Sequence, residues 1–268
     1  MTVQGALGDD RSIETLIDGV DVVVHLAGCI KAKNREGFFE VNEAGCRHLV
    51  KLAAACRKPP KIVLISSLAA REPSLSSYAA SKRAGEEALM ADGAALPWTI
   101  LRPPAVYGPG DLETLAFFKS TKRGVGAMLG GEEARFSLIH VDDLTAAIAH
   151  VLDPLIADHA RLELDDDCEG GHSWASMIAA VERAYDKKVM TIPIPAGLLF
   201  TLGYANAALG RLLGYTPMLT VEKAREIRHR DWVADRRLIR SKTNWRPAIS
   251  VDRGFPATID WYRLHSWL

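Results

Sequence analysis

Lys61-Ile-Val-Leu-Ile-Ser-Ser67, Tyr78-Ala-Ala-Ser-Lys-Arg-Ala-Gly-Glu-Glu-Ala-Leu89 and Trp98-Thr-Ile-Leu-Arg102 follow one another within a short stretch of this chain. The first and third runs are short and rich in branched apolar residues with few polar breaks, as strands covered on both faces are. The middle run is too long for a strand. Ser76 or Ser77 is placed to cap a helix there, and Gly93 to stop it, so a helix over Ser77–Met90 is predicted. A helix between two such strands reads as a crossover joining parallel neighbours.

The pattern continues outward on both sides. Val20–Leu26 (VDVVVHL) is a further buried-type strand, and Arg35–Cys56 places Phe38, Phe39, Val41, Leu49, Val50 and Leu52 at helical spacing. Downstream, Phe136–His140 reads as a strand, Asp142–Leu152 as a helix and Arg161–Leu164 as the last strand of the sheet. Helices then dominate: Ser173–Tyr185, Ala196–Leu213, Thr220–Arg228 and Val251–Leu264. The expected fold class is α/β, a parallel nucleotide-type sheet over residues 1–166 followed by a smaller helix-rich substrate lobe over residues 167–268.

Composition removes several classes of function. Thirty-three basic residues balance thirty-three acidic ones with no basic stripe, which argues against nucleic-acid binding. Cys29, Cys46, Cys56 and Cys168 form no CxxC pair and no ligand spacing with histidine; they are expected to be reduced and mostly buried thiols of a cytoplasmic protein. The first ten residues, MTVQGALGDD, lack the basic and apolar regions of a signal peptide. Val189–Gly210 carries no charge over 22 residues. Its prolines and glycines divide it into a strand end and a modest helix, so a buried or substrate-facing helix is expected, with membrane contact a minority reading.

The chemistry concentrates on Tyr78 and Lys82. Four residues apart on a helix, they share one face one turn apart. A phenol with an ordinary pKa of about 10 is a poor base at neutral pH. A neighbouring ammonium stabilises the phenolate and lets tyrosine exchange a proton with a hydroxyl or carbonyl. Ser67, at the carboxyl end of a parallel strand where such sheets bind ligands, can hold the same oxygen. A lone Tyr/Lys pair is common on solvated helices; the strand before it and the WTILRPPAVYGPGD run after it make it specific. His140 and Asp142 are read as a strand end and a helix cap rather than metal ligands. Asn42 is expected to bond to nearby backbone, and Glu163, Asp165, Asp166 and Asp167 to form a solvated acidic turn.

The YxxxK pair, HLAG after VDVVV, Asn42 in FEVNEAGCRHLV, the RPPAVYGPGD turn, FSLIHVDDL and the closing NWRPAISVDRGFPATIDWYRLHSWL occur in the order seen in extended short-chain dehydrogenases/reductases, and the whole chain resembles that NAD-dependent epimerase/dehydratase family. The resemblance implies a catalytic set of Ser67, Tyr78 and Lys82. Tyr78 would be the acid/base, and Lys82 its activator and a ligand of the nicotinamide ribose. Ser67 would orient the substrate beside the similar Ser66. Ala27, Gly28, Ser66, Tyr78, Lys82, Pro103 and Pro104 are the implied cofactor-binding residues. No metal is implied. NAD or NADP is the implied cofactor, a small molecule the substrate, and a homodimer through Arg35–Cys56 and Ser77–Met90 an expected assembly.

Family members begin with a strand and a glycine-rich turn that seats the dinucleotide pyrophosphate on backbone N–H groups. No such turn stands in these 268 residues. The sheet is therefore expected to lack its first βαβ unit, leaving VDVVVHL as an apolar edge beside which Met1–Leu7 either pairs or stays loose. Ala6 also stands where an adenine-contacting Asp is common, and Ala105 where sugar-nucleotide epimerases often carry Asn. These features point to an NAD(P)-dependent oxidoreductase or epimerase acting on a hydroxyl/carbonyl pair of a less polar substrate. The alternative is a non-catalytic family member, a pseudoenzyme or binding subunit, unable to hold the dinucleotide.

Overall fold

The computed structural model describes residues 2–153 and 156–268. In chain order these form α1 (Asp10–Ile17), β1 (Val22–His25), α2 (Arg35–Phe39), a π-type turn over Glu40–Gly45, α3 (Cys46–Ala55), β2 (Lys61–Ile65), α4 (Ser77–Asp92) and β3 (Trp98–Arg102). There follow β4 (Ala105–Tyr107), α5 (Leu115–Lys122), β5 (Val125–Met128), β6 (Arg135–Phe136), β7 (Leu138–His140), α6 (Val141–His150) and β8 (Ala160–Glu163). The remainder is α7 (Trp174–Tyr185), β9 (Met190–Pro193), α8 (Ala196–Leu213), α9 (Val221–Arg228), β10 (Asp231–Trp232), α10 (Arg237–Lys242) and α11 (Val251–Leu264).

Two compact units are present. The first comprises the residues up to Arg102 together with Ile148–Glu163 and Arg237–Asn244. It holds a four-stranded parallel sheet in the order β1-β2-β3-β8, with Val24 opposite Val63, Val63 opposite Thr99 and Ile100 opposite Arg161. Every residue of β2 and β3 is buried, as their mostly apolar character requires. Ile13 and Ile17 of α1, Leu49 and Val50 of α3 and Leu89 of α4 pack with Ile62, Leu64, Trp98 and Ile100 of those strands. This is the Rossmann-like parallel arrangement. β1 stands at the edge of the sheet, and residues 2–7 form no strand beside it; Leu7 instead rests against Gly45.

The second unit comprises Pro103–Ala147, Leu164–Arg236 and Trp245–Leu268. Its core gathers Tyr107, Phe118, Ile178, Val181, Phe255 and Tyr262, with the Phe118 and Phe255 rings edge to face at 5.2 Å. Three two-stranded pairings brace it: β4 with β7, β5 with β9, and β6 with β10. The carboxylate of Asp143 accepts the backbone N–H groups of Ala248 and Ile249, both at 2.9 Å. That contact ties the FSLIHVDDL segment to the closing helix α11.

Two predicted elements are corrected. Arg35–Cys56 is not one α-helix but two, parted by the π-type turn that carries Asn42. Phe136–His140 is not one strand, because Phe136 pairs its backbone with His172 (2.9 and 2.7 Å) and Ser137 donates to the Trp232 carbonyl (3.0 Å). The partners of the chain thus change at Ser137 and split it into β6 and β7. Cys46 alone of the four free cysteines is buried; the others are half-buried.

The π-type turn packs on α4 through a glycine. A Cβ built on Gly85 would lie 2.2 Å from the Asn42 carbonyl oxygen, a backbone atom that cannot swing aside. On an exposed helix Gly→Ala gains about 1 kcal/mol, whereas overpacking of this kind costs about 1–3 kcal/mol. The clash therefore decides the sign: Gly85→Ala is expected to lower the urea unfolding midpoint, and an unchanged or raised midpoint would refute the close approach.

Candidate active site

Helix α4 starts where Ser76 accepts a hydrogen bond from the Ala79 N–H at 2.9 Å, and Gly93 ends it. That start sets Tyr78 in the first turn, half-buried, its ring edge to face with Phe38 of α2 at 6.2 Å between centroids. Lys82, one turn later, is only 9% exposed. Its Nζ donates to the carbonyl of Ile65, the last residue of β2, at 2.8 Å. Burial pulls the Lys82 pKa below the ordinary lysine value, with the Cys46 sulfur and the Glu86 carboxylate acting the other way. The Cys46 thiol, itself buried, is pushed up to about 12.

The end of β1 arrives beside this ammonium. His25 is buried, whereas Leu26, Ala27 and Gly28 are exposed. A Cβ on Gly28 would come within 3.4 Å of Lys82 Nζ and 3.3 Å of Asn42 Oδ1, so a larger side chain would crowd the polar end of both. Asn42 bonds to backbone, as expected from the sequence, but to that of Cys29, ahead of its own helix. Its Oδ1 accepts the Cys29 N–H at 2.7 Å, while its Nδ2 donates to the Cys29 carbonyl at 2.9 Å and to Ser81 Oγ at 2.8 Å. One side chain thus clamps the loop after β1 to α4.

The two serines after β2 divide their work. Ser67 is half-buried and its Oγ accepts the Ala69 N–H at 3.2 Å, capping a short 3₁₀ turn over Leu68–Arg71. A hydroxyl accepting in this way still carries a proton to donate. The buried Ser66 donates its proton to Glu86 Oε1 at 2.5 Å. Glu86 in turn is held bidentate by Arg102, whose Nε and Nη2 lie 2.8 and 2.6 Å from its two oxygens. Arg102 Nη1 also reaches Glu163 at 3.4 Å. Pro103 and Pro104 follow β3 directly and fall in the second unit, the first buried and the second half-buried.

The predicted solvated acidic turn is corrected accordingly. Glu163, Asp165 and Asp166 are buried, because each has a partner. Glu163 meets Arg102 and, at 3.6 Å, Arg71; Asp166 meets His172 at 2.8 Å; Asp165 lies 3.6 Å from Arg236. Burial raises the Asp165 pKa above the ordinary value. His140 and Asp142 act locally, Nδ1 of the histidine accepting the Asp142 N–H at 3.2 Å.

Sequence reasoning missed Glu86, Arg102 and His25. A signal for Glu86 was available: it stands eight residues after Tyr78 and four after Lys82, on the face of α4 that meets the sheet. A carboxylate on that face calls for a buried cation, and Arg102 at the end of the buried strand β3 supplies it.

A parallel α/β sheet with a buried lysine bonded to the carboxyl end of its β2 strand defines a Rossmann-type protein. The profile of the NAD dependent epimerase/dehydratase family matches residues 1–160, and the chain belongs to that family. It is 38% identical over 268 residues to the ceramide reductase of Caulobacter vibrioides, covering 99% of this chain and 81% of that one. It is 26% identical over 302 aligned positions to the decarboxylating sterol-4-alpha-carboxylate 3-dehydrogenase of Candida albicans, covering 96% and 81%. Among solved structures, UDP-glucuronic acid 4-epimerase from Bacillus cereus in complex with UDP-glucuronic acid and NAD shares the fold with a TM-score of 0.71. It is 16% identical, with 96% of this chain and 80% of that one covered. The family is NAD-dependent.

His25 reports on the buried lysine. Burial first, and the Lys82 charge second, lower its pKa from 6.5 to about 4. The unfolded chain therefore binds a proton at a pH where the folded one does not, and stability falls as pH drops from about 6.5 toward 4. The loss amounts to about 3 kcal/mol across that window; above it, the contribution is constant. His25→Asn is expected to flatten this part of the profile of unfolding free energy against pH, and an unaltered slope would show that His25 is not held neutral.

Proposed function

We propose that the chain is an NAD(P)-dependent oxidoreductase that interconverts a carbonyl and a hydroxyl on an apolar, lipid-type small molecule through Ser67, Tyr78 and Lys82. The observation that carries this reading is the Lys82 ammonium, buried one turn from Tyr78 and anchored to the end of β2. A desolvated cation there stabilises phenolate far more than it would in water.

Ser67 donates its hydroxyl proton in a hydrogen bond to the substrate oxygen. In the reducing direction Tyr78 passes its phenolic proton to that oxygen, and in the oxidising direction it takes the proton back. Lys82 has three N–H donors and directs one to Ile65; the remaining donors and the Tyr78 phenol suit the hydroxyls of a cofactor ribose. Gly28 leaves backbone where a side chain would obstruct that ribose. The residues present thus fit the nicotinamide-ribose end of a dinucleotide, while these 268 residues contain no glycine-rich turn for the pyrophosphate. The nicotinamide, when bound, supplies or accepts the hydride. Ser66 is a positioning residue, since its proton is committed to Glu86.

Two features support an apolar substrate over a nucleotide sugar. Ala105 stands before VYGP. The two curated relatives named above carry the names of a ceramide reductase and a sterol carboxylate dehydrogenase.

The test is turnover of long-chain ketones followed by nicotinamide absorbance and, separately, of UDP-sugars followed by product chromatography, with NAD and NADP titrated by calorimetry. Ketone reduction is expected. Tyr78→Phe should lower kcat by roughly 10²–10⁴-fold with an unshifted melting temperature. Turnover of UDP-sugars alone, or undiminished turnover in Tyr78→Phe, would refute the reading.

A further inference from the structure

Ten of the sixteen large hydrophobic side chains exposed among the described residues fall between positions 190 and 218. On α8 the exposed residues Leu198, Leu202, Ala205, Leu209 and Leu212 follow the spacing i, i+4, i+7, i+11, i+14. At about 100° per residue they form a single stripe, roughly 21 Å long. The opposite side of the helix is already packed. Leu199, Gly203 and Gly210 are buried there, and a Cβ on either glycine would meet the backbone of the 215–221 segment at 2.9 Å. Asn206 Nδ2 fastens the same side to the Leu219 carbonyl at 3.0 Å. The stripe is therefore a second apolar face with no partner among the described residues, larger than a surface helix needs.

Charge identifies what covers it. Between Val189 and Val221 the charged residue is the exposed cation Arg211, on α8 itself; Lys187 and Lys188 precede this stretch, Lys188 lying 3.4 Å from Glu182. Tyr204 is 71% exposed, a ring with an apolar body and a polar tip of the kind that settles at headgroup level. A second copy packed on the same stripe would bring cations of this segment into one interface, with no carboxylate between residues 189 and 221 to answer them. An anionic bilayer surface answers both the stripe and the cations. Crossing the bilayer would require α8 to strip off its packing on residues 215–221, so a helix lying in the interface fits better than a span.

We propose that this face of α8 docks the protein on an anionic lipid surface, laying the Leu198–Leu212 stripe into the boundary between headgroups and acyl chains. Docking would bring the enzyme to substrates that reside in the bilayer, and in that respect the inference rests on the lipid-type substrate proposed above.

The experiment is flotation of the full chain with phosphatidylcholine vesicles, with and without phosphatidylglycerol. With each cation contributing about 1 kcal/mol at such a surface, partitioning onto the anionic vesicles should be at least about tenfold stronger and should weaken with salt. The Leu202→Glu/Leu209→Glu variant should lose flotation while keeping its melting temperature and its turnover of a short, water-soluble ketone. Failure to float, or equal flotation of that variant, would overturn the docking. So would a concentration-dependent dimer, seen by light scattering, that the double variant abolishes. Flotation lost with ketone turnover intact sinks only the docking; turnover absent with flotation intact sinks only the proposed activity.

Discussion

A lysine ammonium held inside the first unit is the constraint around which its other features are arranged. A buried cation without partners would be too costly to keep, and Lys82 is kept by direct bonding to Ile65, by the Glu86 carboxylate a turn away, and by polar groups crowded close to it. Each of those groups needs its own element at short range. The β1 loop must come in at Gly28, where no side chain intervenes. The Asn42 turn must press on α4 at Gly85, where a methyl group would strike backbone. His25 must stay uncharged beside it. Small residues at 28 and 85 are thus consequences of the buried charge rather than separate features.

Beneath this sits a second polar layer. Ser66, Glu86, Arg102 and Glu163 form a continuous chain of hydrogen bonds between α4 and strands β2, β3 and β8. Bidentate Arg–carboxylate contacts fix orientation as well as distance. The layer holds the start of the 66–71 segment, so Ser67 presents its hydroxyl from a backbone anchored on both sides. Whether such a buried network adds stability over an apolar one is a separate matter; here its geometric effect is to set the direction of one serine.

Much of this was legible in the sequence, and unevenly so. β3, α8 and α11 fill the residues read for them from the sequence, because each is a local pattern of spacing and composition. The placement of Tyr78 and Lys82 one turn apart on α4, and of Ser67 just past β2, was legible because helix spacing and strand-end position are local properties. Arg102 was not, since it ends a strand buried along its whole length and only its pairing with Glu86 makes the charge tolerable; Glu86 itself was signalled by its spacing from Lys82 on α4. The acidic run at 163–167 misled for the same reason: four acidic residues among five positions read as solvent-facing until their cations, distant in sequence, are known. The break at Ser137 was hidden because nothing in five consecutive residues tells that their backbone partners change midway.

The π-type turn at Glu40–Gly45 has a consequence for how this protein tolerates change. Its wider turn holds one residue more than α-helical winding would, so α2 and α3 are out of phase by about 100°. Deleting a residue there would give a more regular helix by any local measure. Yet it would swing Leu49 and Val50 away from the sheet, or else carry Asn42 off Cys29 and α4. The irregularity works as a vernier between two rulers: α3 keeps register with the apolar core, α2 with the ring of Tyr78, and the extra residue absorbs the difference. Insertions or deletions within 40–45 should therefore be far less tolerated than substitutions at the exposed positions flanking it.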